Sequence, residues 1–149
     1  MIEDATGDLF AANVDGLANP VNTVGVMGKG LARAFAKRFP DNLAAYRRAC
    51  AAGEVRIGEV LVVDRVRASP RWILNVPTKR HWRSRSRLDD VRLGLVDLVR
   101  QVRAHAIGSL AIPALGCGLG GLDWRDVRPL VVDACAPLET VRILLFPPG

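Results

Sequence analysis

Apolar and polar positions along this chain fall into two kinds of block. Short runs rich in β-branched residues read as strands, and longer stretches with apolar residues repeating at three and four read as helices. Ile2–Thr6 is a first short run, and Asp15–Val21 (DGLANPV) is a second that enters the loop NTVGVMGKG. Leu31, Ala34, Phe35 and Phe39 then share one helical face, Pro40 punctuates, and DNLAAYRRACAAG gives another helix ended by Gly53. GEVLVVDRV and RWILNVPT are too continuously apolar for a sheet with one wet face, so both are expected as central strands. Ser86-Arg87-Leu88-Asp89 has the capping-box spacing, and the helix it opens carries Leu88, Val91, Leu95, Leu98, Val102 and Ala106 in one stripe. SLAIPALG is the next strand. After the glycine run GCGLGG, a helix presents Val127, Leu130, Val131, Ala134 and Leu138 on one side, and VRILLFPP is a last strand. Strands alternating with helices predict a three-layer α/β/α sandwich around a mixed, mostly parallel sheet. Ligands of such sheets bind in the loops beyond the strand C-terminal ends.

Composition narrows the picture. A chain of 149 residues without repeats or linkers is expected to be one domain, 1–149. No apolar run reaches the roughly 18 residues needed to span a membrane. The start, MIEDATGDLF, lacks the basic-then-apolar order of a signal peptide, so a cytoplasmic protein is expected. Three widely spaced cysteines and two histidines, His81 and His105, give neither a disulfide framework nor a metal-ligand motif, so no metal or cofactor is expected. The net charge of +6 suggests polyanionic partners. Five of the 21 cations, Lys79, Arg80, Arg83, Arg85 and Arg87, crowd into nine residues.

Three loops that follow strands carry the candidate chemistry. In NPVNTVGVMGKGLARAF, Gly25, Gly28 and Gly30 allow tight turns and close approach to a ligand, and the following helix start offers free N–H groups to a phosphate. Asn19 and Asn22 there either hydrogen-bond a sugar hydroxyl or shape the turn. The loop lacks the Ser or Thr after Gly-Lys that a Walker A motif requires. GCGLGG, Gly116 to Gly121, fits GxGxxG but lies too late in the chain for the dinucleotide-binding fingerprint, and reads as a second diphosphate loop. NVPTKRHWRSRSRLDD sets Lys79 at a strand end among arginines. Burial and positive neighbours both lower a lysine pKa, and a neutral amine attacks an anomeric carbon or accepts a proton. The plain alternative is a surface lysine. Trp82 is placed either to stack on a base or to pack within its loop.

GDLF, NPVNTVGVMGKGLARAF, NVPTKRHWRSRSRLDD and PALGCGLGGLDW together resemble, in order from about Gly7 to Trp124, the macrodomain of the DarG antitoxins. Those antitoxins reverse DNA ADP-ribosylation by a DarT toxin. The resemblance implies an ADP-ribose site with Asp8 and Leu9 at the adenine end. Asn19, Val21 and Asn22 would lie at the distal ribose, with Gly28, Gly30 and Leu31 in the first diphosphate loop. Cys117, Gly118, Leu119, Gly120 and Gly121 would form the second. It implies Lys79 as the catalytic lysine next to Thr78, and Asn22 as the residue that holds the ribose for attack. A related macrodomain, the terminal ADP-ribose protein glycohydrolase, pairs its lysine with an aspartate in the second loop, where this chain has Gly120. That agrees with the DarG branch. The expected activity is removal of ADP-ribose from thymidine in single-stranded DNA held by Arg80, Trp82, Arg83 and Arg85, with a DarT-type toxin as possible partner. DarG proteins have two parts, and the resemblance covers the enzymatic one. A non-enzymatic ADP-ribose reader and a plain nucleic-acid-binding module are the alternatives. The second would need exposed aromatics, and aromatics are only 5% of the chain.

Overall fold

A computed structural model describes residues 1–149. Six strands form one sheet: β1 (Ile2–Asp4), β2 (Gly16–Asn22), β3 (Leu61–Asp64), β4 (Trp72–Lys79), β5 (Ser109–Ile112) and β6 (Arg142–Leu145). Their order is β1-β6-β5-β2-β4-β3, with every neighbouring pair parallel except the antiparallel β3–β4. Four helices complete the fold: α1 (Gly30–Arg38), α2 (Pro40–Ala51), α3 (Leu88–Ala104) and α4 (Trp124–Cys135).

Strand periodicity explains the layers. Leu17, Ile73, Ala111 and Leu144 point to one face, where they pack with Phe35 of α1 and with Phe39 at the junction of α1 and α2. Their neighbours Ala18, Leu74, Leu110 and Ile143 point to the other, into a larger core with Val91, Leu95 and Leu98 of α3 and Val127 and Val131 of α4. Successive side chains alternate across a pleated strand, so one strand feeds two cores. Tyr46 and Ala49 of α2 close a third cluster over Val21 and Met27. The result is the expected three-layer sandwich. No helix is long and apolar enough to cross a membrane.

Three local expectations are corrected. β3 is an edge strand, partly exposed, and not a central one. Its apolar run reflects cover on its faces, while its free edge is a matter of hydrogen-bond neighbours. Ser86 does not cap α3: Arg87 occupies the N-cap without a side-chain bond, and the Ser86 Oγ is buried with no partner. Asp89 and Asp90 in the first turn supply the favourable charge instead. Leu88 and Ala106, at the two ends of the predicted stripe, are exposed.

Because β2, β4, β5 and β6 run parallel, their C-terminal ends emerge at one edge of the sheet. The loops that follow them meet there.

Candidate active site

A cleft of about 820 Å³ opens at that edge, within the range of small-molecule and cofactor sites. The first glycine loop, the end of β4 and the second glycine loop all line it. The two glycine loops face each other directly. Leu119 of the second lies 3.5 Å from where a Cβ on Gly30 of the first would sit, and Gly30 has a positive φ of 58°.

Both loops present unused backbone donors. α1 begins at Lys29 without a side-chain cap, and the N–H groups of Gly30, Leu31 and Ala32 have no intramolecular acceptor. In the second loop, Cys117 N–H donates to Ala114, Gly121 N–H to Gly118 and Leu122 N–H to Gly116. Those bonds tie the loop's ends and leave the successive N–H groups of Gly118, Leu119 and Gly120 free. Helix starts and successive free amides both suit a phosphate. Gly116 and Gly120 are required by packing: a Cβ on Gly120 would strike the Ser86 hydroxyl and the Gly116 carbonyl, and one on Gly116 would strike the Leu122 side chain and press on Ser86.

Lys79 and Asn22 are register partners at the ends of β4 and β2, just past an irregularity between Val21 and Asn22. Thr23 fixes this junction, its N–H donating to the Lys79 carbonyl at 3.1 Å and its hydroxyl to the Arg80 carbonyl at 2.7 Å. Lys79 lines the cleft, pairs with no carboxylate, and has its pKa lowered by burial alone. The expected contribution of positive neighbours to that shift is absent. Asn22 Oδ1 accepts from Val24 N–H (3.0 Å) and from the Tyr46 hydroxyl (2.8 Å), and its Nδ2 donates to the Val26 carbonyl (2.7 Å). One Nδ2 proton remains, so Asn22 can offer a ligand only a donor.

Of the residues singled out from sequence, Asp8, Leu9, Val21, Asn22, Gly28, Gly30, Leu31, Thr78, Lys79, Trp82, Cys117, Gly118, Leu119 and Gly120 all line the cleft. Asn19 does not. Its Nδ2 donates to Asn75 Oδ1, which also accepts from Asn42, so it belongs to a buried asparagine cluster beneath the loop. Gly121 also lies off the wall, its carbonyl taken by Arg85. Asp8 spends Oδ1 on Phe10 N–H and keeps Oδ2 available. Among the basic residues, Arg80 is neutralised by Asp90. Arg83 stacks on Trp82 at 4.5 Å, and Trp82 is 39% exposed at the cleft rim.

Sequence reasoning missed Phe10, Phe146, Pro147 and Ser86, which also line the cleft. The signal for Phe146 and Pro147 was present, because they follow β6 as the other loops follow their strands. Phe10 is held edge-on to Phe35 at 4.9 Å, leaving an aromatic surface beside Asp8. No three His, Cys, Asp or Glu side chains come together as a metal site would need.

A Macro domain family model matches residues 18–131. The chain is a macrodomain. The macrodomain is similar over its whole length to the DNA ADP-ribosyl glycohydrolase of Mycobacterium tuberculosis, with 47% identity covering 43% of that protein. The protein of the same name from Thermus aquaticus is 46% identical, with 99% of this chain and 41% of the relative covered. The chain thus spans less than half the length of these curated relatives. Among solved structures, the macrodomain of Mycobacterium tuberculosis DarG superposes with a TM-score of 0.97 at 46% identity, covering 100% of this chain and 99% of that one. Thermosipho africanus DarTG in complex with ADP-ribose gives 0.90 at 38% identity, covering 95% of this macrodomain and 40% of that chain.

Proposed function

We propose that this macrodomain is a glycohydrolase that removes ADP-ribose from thymidine in DNA and so reverses the action of a DarT-type toxin. The observation that carries the reading is Lys79: an amine with no carboxylate partner and a pKa lowered by burial, set beside Asn22 at one end of a cleft built for a diphosphate. The relatives named DNA ADP-ribosyl glycohydrolase and the ADP-ribose complex of a similar chain support the ligand and the reaction class.

ADP-ribose fits with its adenine against Phe10 and Leu9, the free Oδ2 of Asp8 accepting from the exocyclic amine. The two phosphates take the free N–H groups of Gly30, Leu31 and Ala32 on one side and Gly118, Leu119 and Gly120 on the other. The distal ribose then reaches Val21, Thr78 and Asn22, whose remaining N–H holds a ribose hydroxyl. Binding energy from the distant diphosphate thereby orients the reacting bond. The neutral Lys79 amine either takes a proton from an attacking water or attacks the anomeric carbon itself, in which case water then hydrolyses the lysine adduct to free ADP-ribose and the amine. The glycosidic bond breaks, its electron pair leaving with the thymine, which then takes up a proton. Trp82, exposed at the rim and backed by Arg83, gives the departing base a surface on which to stack. Action in the cytoplasm, where DNA is reached directly, belongs to the same reading.

The test is turnover of a thymidine-ADP-ribosylated oligonucleotide, with free ADP-ribose as the product measured. Binding without release would make the protein a reader of ADP-ribose and sink the glycohydrolase reading.

A further inference from the structure

Charge on this molecule is sorted. Residues 16–53, spanning β2, the first glycine loop, α1 and α2, hold six cations against one carboxylate, Asp41. Asp41 is itself taken by Arg65 from outside the segment. Residues 78–88 hold five cations and no carboxylate. The remainder of the chain carries ten cations and fourteen carboxylates, a net charge of −4.

Pairing follows the same division. Nine of the 21 cations make ion pairs. Of the other twelve, only Arg67 and Arg103 lie outside the two positive segments. The cations of the first segment, Lys29, Arg33, Lys37, Arg38, Arg47 and Arg48, are all exposed. Lys29, Arg33 and Lys37 recur every four residues, which lines them along one face of α1 at about 6 Å per step.

Their position ties them to the cleft. Lys29 lines it, and Arg38 stands over the ring of Phe10, which also lines it. Arg47 and Arg48 stand on the solvent side of α2, turned away from Tyr46, whose buried hydroxyl bonds Asn22. Six unopposed cations on a surface cost self-repulsion, which a bound polyanion relieves. A diphosphate held inside the cleft would meet Lys29 alone and leave the other five without a partner.

We propose that the exposed α1–α2 face is a second phosphate-binding surface, which holds the DNA strand that carries the modified base across the cleft from Arg83 and Arg85. The inference rests on the DNA reading above and adds the residues that give the protein its grip on the strand. These side chains read phosphates, so they add affinity without sequence preference.

The experiment compares two variants of equal net charge. One carries Arg33→Gln, Lys37→Gln, Arg47→Gln and Arg48→Gln, and the other Arg56→Gln, Arg67→Gln, Arg92→Gln and Arg103→Gln. Binding of an unmodified single-stranded oligonucleotide is followed by anisotropy across a salt series, with kcat/KM on the modified oligonucleotide and affinity for free ADP-ribose in parallel. The first variant should bind the oligonucleotide at least about tenfold more weakly, with a salt slope shallower by about 0.7 for each phosphate it no longer neutralises. Its kcat/KM should fall while its affinity for ADP-ribose stays that of the wild type. The second should match the wild type in all three. Equal losses in both variants, or none in the first, would overturn the proposal. If the wild-type protein releases ADP-ribose from modified protein but not from DNA, the DNA reading fails and this surface fails with it. If it acts on DNA and the first variant is unimpaired, only this inference fails.

Discussion

The β-sheet register places Lys79 and Asn22 side by side, and the role proposed for each can be tested apart from the other. Burial disfavours the Lys79 ammonium, so the neutral form gains ground at lower pH than in an ordinary lysine. If that form reacts, kcat should rise with pH and level off at a midpoint below the usual 10.5, and this limb should vanish in Lys79→Ala. Lys79→Ala should keep ADP-ribose affinity and lose at least about a hundredfold in turnover, the scale of a positioned acid or base. Lys79→Arg should be nearly as inactive, because a guanidinium keeps its proton. Wild-type-like turnover by the arginine variant would reduce Lys79 to a positive group at the mouth of the cleft. Asn22 depends in turn on Tyr46, fully buried, whose hydroxyl bonds both the Asn22 carbonyl and its side-chain oxygen. Tyr46→Phe removes the bond that helps fix the amide with its N–H toward the ribose. Turnover should fall roughly two- to tenfold, as the loss of one hydrogen bond implies, with KM little changed. In an Asn22→Ala background the same change should do nothing further to kcat. A second loss there would mean that Tyr46 acts through the fold and not through Asn22.

The glycine loops separate ligand binding from packing. Gly118 has open space around the position of a Cβ, whereas Gly120 has the Ser86 hydroxyl and the Gly116 carbonyl in the way. Gly118→Leu should therefore abolish ADP-ribose binding with an unchanged melting temperature. Gly120→Leu should lose both binding and stability, which calorimetry and thermal denaturation on the same samples will read. A spacing-based expectation treats the two glycines alike. Only the packing of Ser86 beneath the loop tells them apart. Ser86 is also where the sequence misled, since its spacing to Asp89 is that of a capping box while its hydroxyl is turned toward the glycine loop. β3 misled for a related reason. The apolar run around Leu61, Val62 and Val63 reports what covers a strand's faces, and carries no information on which strands flank it. By contrast, periodicity located α1, α3 and α4, because each buries one stripe against a sheet whose two faces are both covered, while Pro40 and Gly53 marked off α2.

At the scale of the whole molecule, the site was legible because parallel topology forces the ends of β2, β4 and β5 to one edge, so loops far apart in sequence had to meet. The fourth contributor, Phe146 and Pro147 after β6, obeys the same rule. Asn19 shows the limit. Its place three residues before Asn22 suggests a shared site, but the partners Asn75 and Asn42 hold it in the interior beneath the strand end. This architecture makes the ligand a clasp between elements that are separate in the chain. In the proposed complex one diphosphate would span the start of α1 and the loop between β5 and α4, which pack on opposite faces of the sheet. Ligand that binds only the folded state stabilises it by about 2.7 kcal/mol at a hundredfold excess over Kd. For a domain of this size that corresponds to a rise in melting temperature of about 5–10 °C. ADP-ribose should produce that rise, and AMP at the same concentration only a small part of it, because AMP lacks the second phosphate and the ribose that reaches Asn22. Gly118→Leu should abolish the ADP-ribose shift while Lys79→Ala preserves it, since the role proposed for the lysine is at the glycosidic bond and not at the diphosphate. Equal shifts from AMP and ADP-ribose would mean that the adenine end alone carries the binding, and that the two facing glycine loops do not close on a single ligand.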